Sequence, residues 1–312
     1  MILNVGGRTD IVQYYTPWLL ARFRNGYVMV RNPYDPHHVT RYDLDPATID
    51  GVVFCSKNYA PILPYIGEIT QRFHTYFHYT ITAYGRDVEP GVPSIEESID
   101  TLYKLEEIVG KNRISWRYDP VLLTKEYTVK RHAETFSRMA DRLKGHVDRC
   151  IFSFVELYRK LQFNFPDLIP LTDADMDTLA MVLGTVAGKA GIPIQSCGTD
   201  TDYSRYGIGP SGCMTLSIMG RANGIRFRRL QHNGMRKGCH CIESRDIGAY
   251  DTCLNGCKYC YANTNLQKAV ETHRLHDPAS PLLIGHPEKG DIVTSARQIS
   301  FRVKESPQLE LL

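Results

Sequence analysis

Residues 150–155 read Cys-Ile-Phe-Ser-Phe-Val, residues 172–189 read Thr-Asp-Ala-Asp-Met-Asp-Thr-Leu-Ala-Met-Val-Leu-Gly-Thr-Val-Ala-Gly-Lys, and residues 192–196 read Ile-Pro-Ile-Gln-Ser. The outer stretches are short, apolar and rich in β-branched or aromatic side chains, as strands are. The middle stretch sets Leu179, Met181, Val182 and Val186 at helical spacing, with Gly191 just beyond it as a stop. Strand, helix, strand is the βαβ unit, whose crossover is right-handed and whose strands run parallel.

The same alternation extends toward the N-terminus. Further candidate strands are Ile2 to Val5, Tyr27 to Val30, Val52 to Cys55, Tyr76 to Thr82 and Ile114 to Tyr118. Helical patterns lie between them. Ile11 to Arg24 follows Asp10, an N-cap residue; Ser94 to Val109 has Glu97 at capping-box spacing from Ser94; Lys130 to Leu143 is the third. Repeated units of this kind predict an α/β fold, a full or partial (β/α) barrel rather than an open doubly wound sheet. Gly6-Gly7 lacks the third glycine of a dinucleotide fingerprint. After Cys197 glycines, cysteines and basic residues take over, so residues 1–196 are expected to form the barrel core and 197–312 a Cys-rich region that completes it. A helix over Thr264 to Thr272 and a weak strand over Gln298 to Val303 are expected there.

With 312 residues, the chain is long enough for two domains or one barrel. A hydrophobic fraction of 43% and a charged fraction of 23% exclude a disordered chain, a collagen and a coiled coil. The 37 basic and 34 acidic residues leave +3, too little to indicate nucleic acid by itself. The basic run Arg221, Arg226, Arg228, Arg229, Arg236 and Lys237 reads either as a loop beside an anionic group or as a solvated face. No run of about 18 apolar residues is present, so no membrane span is expected. Met1 to Arg8 lacks signal-peptide character, and a cytoplasmic location is expected.

Nine cysteines are placed unevenly: Cys55 and Cys150 stand alone, and the other seven follow position 196. In a reducing compartment such clustering favours metal over disulfides. Cys253-Leu-Asn-Gly-Cys257-Lys-Tyr-Cys260 has the spacing C-x3-C-x2-C. Three thiolates on one short loop satisfy three irons of a cubane and leave the fourth open, whereas a structural zinc site closes its shell with four. Cys197, Cys213, Cys239 and Cys241 remain, the number needed to close a second site. A second iron–sulfur cluster is the first expectation there, zinc the next, and unliganded thiols the third.

Polar residues recur where the candidate strands end. Arg8 and Asp10 follow the first, Lys57 follows Cys55, and Arg117 and Asp119 lie on the fifth. In a barrel, strand ends share one rim, so these five are expected to face a common cavity. Arg8, Lys57 and Arg117 would hold an anionic group and the carboxylates a hydroxyl or amine. The structural alternatives are that Arg8 and Asp10 pair with each other or cap a helix and that Arg117 pairs with Asp119.

The C-x3-C-x2-C loop, with aromatic Tyr259 before its last cysteine, resembles the signature of the radical S-adenosylmethionine (SAM) superfamily. That resemblance implies a [4Fe-4S] cluster whose open iron is chelated by SAM, reductive cleavage of SAM, and hydrogen abstraction from a substrate. The chain also resembles a bacterial domain-of-unknown-function family, eighteen-forty-eight in that series. The matching pieces are Arg8-Thr9-Asp10, Val30 to Pro33, Lys57-Asn58, Gly91 to Ser94, Arg117 with Asp119-Pro120, and Cys239 through Asp246-Ile-Gly248 to Asn263. A fainter likeness is to spore photoproduct lyase. Two departures are notable. Gly6-Gly7 stands where that family has Ser-Arg, and Cys55-Ser-Lys-Asn-Tyr59 where it has Trp-Thr-Lys-Asn-Pro.

Radical SAM domains usually carry the cluster loop near the start, and here it comes last, so a circular permutation is expected. Gly6 and Gly7 would then sit where the superfamily holds SAM's amino group, with Tyr259 and Asn263 as further cofactor contacts. The resemblance implies a small-molecule substrate and an electron donor such as flavodoxin or ferredoxin, in an oxygen-sensitive enzyme. Two alternatives stay open: a nucleic-acid repair or modification enzyme of lyase type, and a non-catalytic iron–sulfur or zinc protein.

Overall fold

The computed structural model describes residues 1–228 and 238–303. Eleven strands appear among them: β1 (Ile2–Val5), β2 (Tyr27–Asn32), β3 (Asp35–Asp43), β4 (Gly51–Ser56), β5 (Thr75–Thr80), β6 (Ile114–Val121), β7 (Arg149–Phe154), β8 (Ile194–Ser196), β9 (Ile208–Gly209), β10 (Ser244–Asp246) and β11 (Ile292–Ser295). The α-helices are α1 (Ile11–Tyr14), α2 (Thr16–Asn25), α3 (Ile66–Thr70), α4 (Ile95–Val109), α5 (Val129–Leu143), α6 (Leu161–Asn164), α7 (Asp173–Ala190), α8 (Leu216–Asn223) and α9 (Leu266–His273).

Eight strands form one parallel sheet in the order β10-β1-β4-β5-β6-β7-β8-β9. Right-handed crossovers that keep advancing in one direction put their helices on one face. The main core records this: Leu3, Val5, Phe54, Phe77, Trp116 and Phe152 of the strands pack with Trp18, Leu102, Phe136 and Leu183 of α2, α4, α5 and α7. Intervening strand residues point the other way. On that inner face Ile2, Val53 and Tyr76 meet Met214, Ile218 and Met219, so α8 covers the amino-terminal half of the face. Among the described residues the ladder ends at β9 on one side and β10 on the other, without pairing between them. Both expected regions contribute to this sheet, since β9 and β10 come from residues beyond 196. No helix among the described residues is long and apolar enough to cross a membrane.

Several expectations need correction. Tyr27 to Val30 does form a strand, but it belongs to a separate sheet, β11-β3-β2, where it pairs antiparallel with β3. The expected helix Ile11 to Arg24 breaks at Tyr15, because Pro17 has no N–H to bond back to residue 13 and is tolerated only in the first turn of a new helix, α2. The strand expected over Gln298 to Val303 reduces to one bridge, Phe227 with Arg302, while β11 forms at Ile292–Ser295 instead. All four β11 residues are exposed, so no apolar face marked it. The capping box of Ser94 with Glu97 forms as expected, and Gly191 ends α7 in the left-handed conformation.

Gly6 ends β1 with φ of +123°, and a Cβ there would lie 2.1 Å from the carbonyl oxygen of Cys55. Gly6→Ala is expected to cost about 3 kcal/mol or more in denaturant unfolding. Gly26→Ala, at φ +76° in open space, is expected to cost only about 1–2 kcal/mol.

Candidate metal centre

Cys197 follows β8, Cys213 precedes α8, and Cys241 precedes β10. Their sulfurs lie within 4.8 Å of one another, the one such group of three His, Cys, Asp or Glu ligand atoms among the described residues. Cys213 and Cys241 approach to 3.2 Å. Cys239 reaches the same group through a thiol contact with Cys241. Close packing of three loops sets this up. Ser211 Oγ donates to the Gly238 carbonyl at 3.1 Å, and a Cβ on Gly238 would press on Gly198 at 3.2 Å. Hydrogen bonds from Cys197 and Cys241, followed by the nearby charge of Arg117, hold the Cys213 thiol well below the usual thiol range. Of the three thiols, Cys213 is thus the one whose ionisation its neighbours favour, and the thiolate is the form that binds metal.

A polar row runs beneath this group. In register across β4, β5, β6 and β7 stand Cys55, His78, Ser115 and Arg149. Arg149 Nη2 donates to the Cys213 carbonyl at 3.0 Å. His78 is 1% exposed, and its Nδ1 meets Ser115 Oγ at 2.5 Å. Burial pushes the imidazole down to about 3, so it is neutral. The His78 Nε2 has no partner among the described residues.

Cys253, Cys257 and Cys260 lie on the loop after β10, at the carboxyl ends of β1, β4 and β5. They do not draw together to the single-ion spacing of the first group. Burial raises the Cys253 thiol to about 12 and the Cys257 thiol well above its usual range, so both are neutral without a metal. The loop is tied on all sides. Tyr15 Oη donates to the Thr252 carbonyl at 2.7 Å, Tyr14 Oη to Asn255 at 3.0 Å, and Lys258 N to the Val88 carbonyl at 3.0 Å. Asn263 Nδ2 donates to the Cys253 carbonyl at 2.6 Å, while its Oδ1 is buried without a partner among the described residues.

The five expected pocket residues separate. Asp10 is buried and caps α1 through Gln13 N at 3.1 Å. It also accepts from Ser56 Oγ at 2.7 Å, Lys57 N at 2.9 Å and Asn255 Nδ2 at 3.3 Å, joining β1, β4 and the cysteine loop. Burial nonetheless raises its carboxyl above the usual value. Lys57 Nζ pairs with Glu89 at 3.0 Å near Cys257. Arg117 pairs with Asp119, which also accepts from Ser153, all on the inner face. Arg117 also senses the thiols of Cys213, Cys197 and Cys55, and Lys57 senses Asp119. These three thus stand between the two cysteine groups. Arg8 turns away, with Nη1 at 3.5 Å from the Gly248 carbonyl and its guanidinium 5.4 Å from the Tyr250 ring.

The glycine turn is also engaged. Gly7 N donates to Asp246 Oδ2 at 2.6 Å, and the Gly7 carbonyl accepts from Tyr261 Oη. Tyr259 packs edge-on against Tyr84 and donates its hydroxyl to Glu89. Of the basic run, Arg221 pairs with Asp148 at 3.2 Å and Arg228 donates to the Ser300 carbonyl; Arg229, Arg236 and Lys237 lie outside the described residues.

Glu89, Asp246, His78 and Ser153 had no role in the sequence reading. Asp246 was legible only as part of Asp246-Ile-Gly248, and the alternation of β5, β6 and β7 would have put His78 and Ser153 on the face of Arg117. Nothing in Asp87-Val-Glu89-Pro marks Glu89.

The Arg117–Asp119 pair has side chains 15% and 18% exposed, and removing one partner of a shielded pair strands the other charge. Burial alone would raise Asp119, but Arg117 and Ser153 outweigh it and hold the carboxyl below its ordinary value. Its contribution to stability is present above the unfolded carboxylate pKa and is lost as pH falls through the lowered folded value. Arg117→Leu is expected to destabilise by about 3–5 kcal/mol at neutral pH, and Arg117→Leu with Asp119→Leu by much less. Chemical denaturation of both variants measures the difference; equal losses would contradict the pair.

A family model described as a domain of unknown function, DUF1848, matches residues 2–262. No curated protein matches the chain.

Proposed function

We propose a radical SAM reaction for this protein, which belongs to the DUF1848 family. The observation that carries the reading is the Cys253, Cys257, Cys260 loop, braced at the strand ends and set wider than ligands of one ion. Thiolates of a four-iron cluster each bind a different iron, and three leave one iron open. These cysteines would hold a [4Fe-4S] cluster, with SAM on the open iron. A cluster held there would supply the low-potential electron for reductive cleavage of SAM, with a flavodoxin- or ferredoxin-type donor as its source.

The chain's own residues define the rest. Partial barrel geometry, permuted so that the cluster loop follows the last strand, would put that loop over the inner face. Asp10 fixes the loop against β1 and β4, and Glu89 fixes it through Tyr259. Lys57 with Glu89 and Arg117 with Asp119 and Ser153 present both donors and acceptors between the two cysteine groups. Such a wall suits a small polar substrate, held by several fixed contacts so that one hydrogen is presented. Arg8 stands too far out for that wall and is assigned to the rim beside Tyr250.

Electron paramagnetic resonance of the anaerobically prepared, reduced protein tests the reading. The reading expects a four-iron signal whose shape changes when SAM is added. A signal unaltered by saturating SAM would overturn it.

A further inference from the structure

We infer that Cys197, Cys213, Cys239 and Cys241 enclose a single zinc-type ion in a closed thiolate shell, with His78 donating a hydrogen bond to that shell. Spacing decides between one ion and a cubane. Tetrahedral thiolates bound to one ion at about 2.3 Å lie about 3.8 Å apart. The sulfurs of Cys197, Cys213 and Cys241, all within 4.8 Å and two of them 3.2 Å apart, match one ion and are too close for three separate irons. Cys239 touches Cys241 but stands outside the 4.8 Å group, and closing in on an ion it would supply the fourth sulfur of the shell. Four soft thiolates select zinc among common divalent ions. A cavity of about 490 Å³ next to the group is lined by Ser211, Gly212 and Thr215, on both sides of Cys213 in sequence.

A tetrathiolate ion site carries excess negative charge, and the surroundings answer it. Arg117 lies where it senses Cys213 and Cys197, and Arg149 donates to the Cys213 backbone. Fully buried His78 lies near enough to feel the charge of Cys213, and its Nε2 has no partner among the described residues. The Nδ1 contact with Ser115 Oγ suits a hydroxyl that donates to Nδ1, the tautomer that would leave the ring proton on Nε2 for the thiolates. Outer partners of this kind orient metal ligands and are otherwise hard to explain as buried orphans.

The inference is independent of the radical SAM reading, because it concerns the other cysteine group. The test uses full-length protein made anaerobically with both iron and zinc supplied. Elemental analysis is expected to give one zinc per chain beside the iron, and Cys241→Ala to lose the zinc while keeping the iron. Cobalt substituted into the wild-type site should show intense tetrahedral thiolate bands, which needs no variant to fold. His78→Leu should lower metal affinity about 10–100-fold in chelator competition and shift the cobalt–thiolate charge-transfer band, and His78→Gln, which keeps an N–H near Nε2, should restore both. Twice the iron with no zinc, or zinc retained by Cys241→Ala, would overturn the single-ion site. Unchanged affinity and bands in His78→Leu would overturn the role of His78.

Discussion

Replacing Cys253, Cys257 and Cys260 together by alanine is expected to remove about four irons per chain and to reduce SAM cleavage to background. The fold should survive. The loop holding these cysteines is anchored by groups other than its sulfurs: Tyr15 to Thr252, Tyr14 to Asn255, Asp10 to Asn255, and Asn263 to Cys253. Asp251, in the left-handed region at φ 54°, turns the loop and accepts from Thr264. With Cys253 and Cys257 protonated in the absence of metal, their loss removes no charge from the interior. Iron content, circular dichroism and SAM turnover of one preparation give the answer. Iron retained at the wild-type level would show that the cluster lies elsewhere.

Glu89→Ala is expected to have the next largest effect. Glu89 is 2% exposed and accepts from Lys57 at 3.0 Å, Thr82 at 2.9 Å and Tyr259. Its removal strands the Lys57 ammonium, 13% exposed, beside the cysteine loop. Breaking a buried pair from one side costs about 3–5 kcal/mol, well above a surface pair. It also frees Tyr259, the residue between Lys258 and Cys260, so iron should be held about 10–100-fold more weakly, as when an outer-shell partner is lost. Glu89→Gln keeps an acceptor and should fall between the two. Thermal melting and chelator challenge of the three proteins order them; equal iron retention would separate Glu89 from the centre.

What the sequence disclosed follows from how each feature is encoded. Strands such as Ile2–Val5 and helices such as Ile95–Val109 announce themselves through local apolar pattern and caps. Ser244–Asp246 does not, because a polar Ser-Arg-Asp edge strand forms only where β1 offers it a partner. Nor does β3, the central strand of the small sheet: its polar His37 to Arg41 stretch is stabilised by pairing with β2 and β11 rather than by an apolar face. The two cysteine groups were legible from residue type and spacing, and the structure brings Cys197, Cys213 and Cys241 together across 45 residues of chain, from 197 to 241. The network behind them was not legible. Glu89, His78 and Ser153 acquire their roles from strand register and from a loop more than 150 residues away from Glu89. From sequence, Asp10 fits both a cap and a pocket residue. The cap is present, and the other three hydrogen bonds make it the joint between the first strand and the cysteine loop.

The most direct test of the radical SAM reading is to incubate the iron-loaded, full-length protein with SAM and a strong one-electron reductant under strict anoxia and to quantify 5′-deoxyadenosine. The account predicts its formation by the wild-type protein and its absence with Cys257→Ala. No 5′-deoxyadenosine from folded protein carrying about four irons at this loop would contradict it.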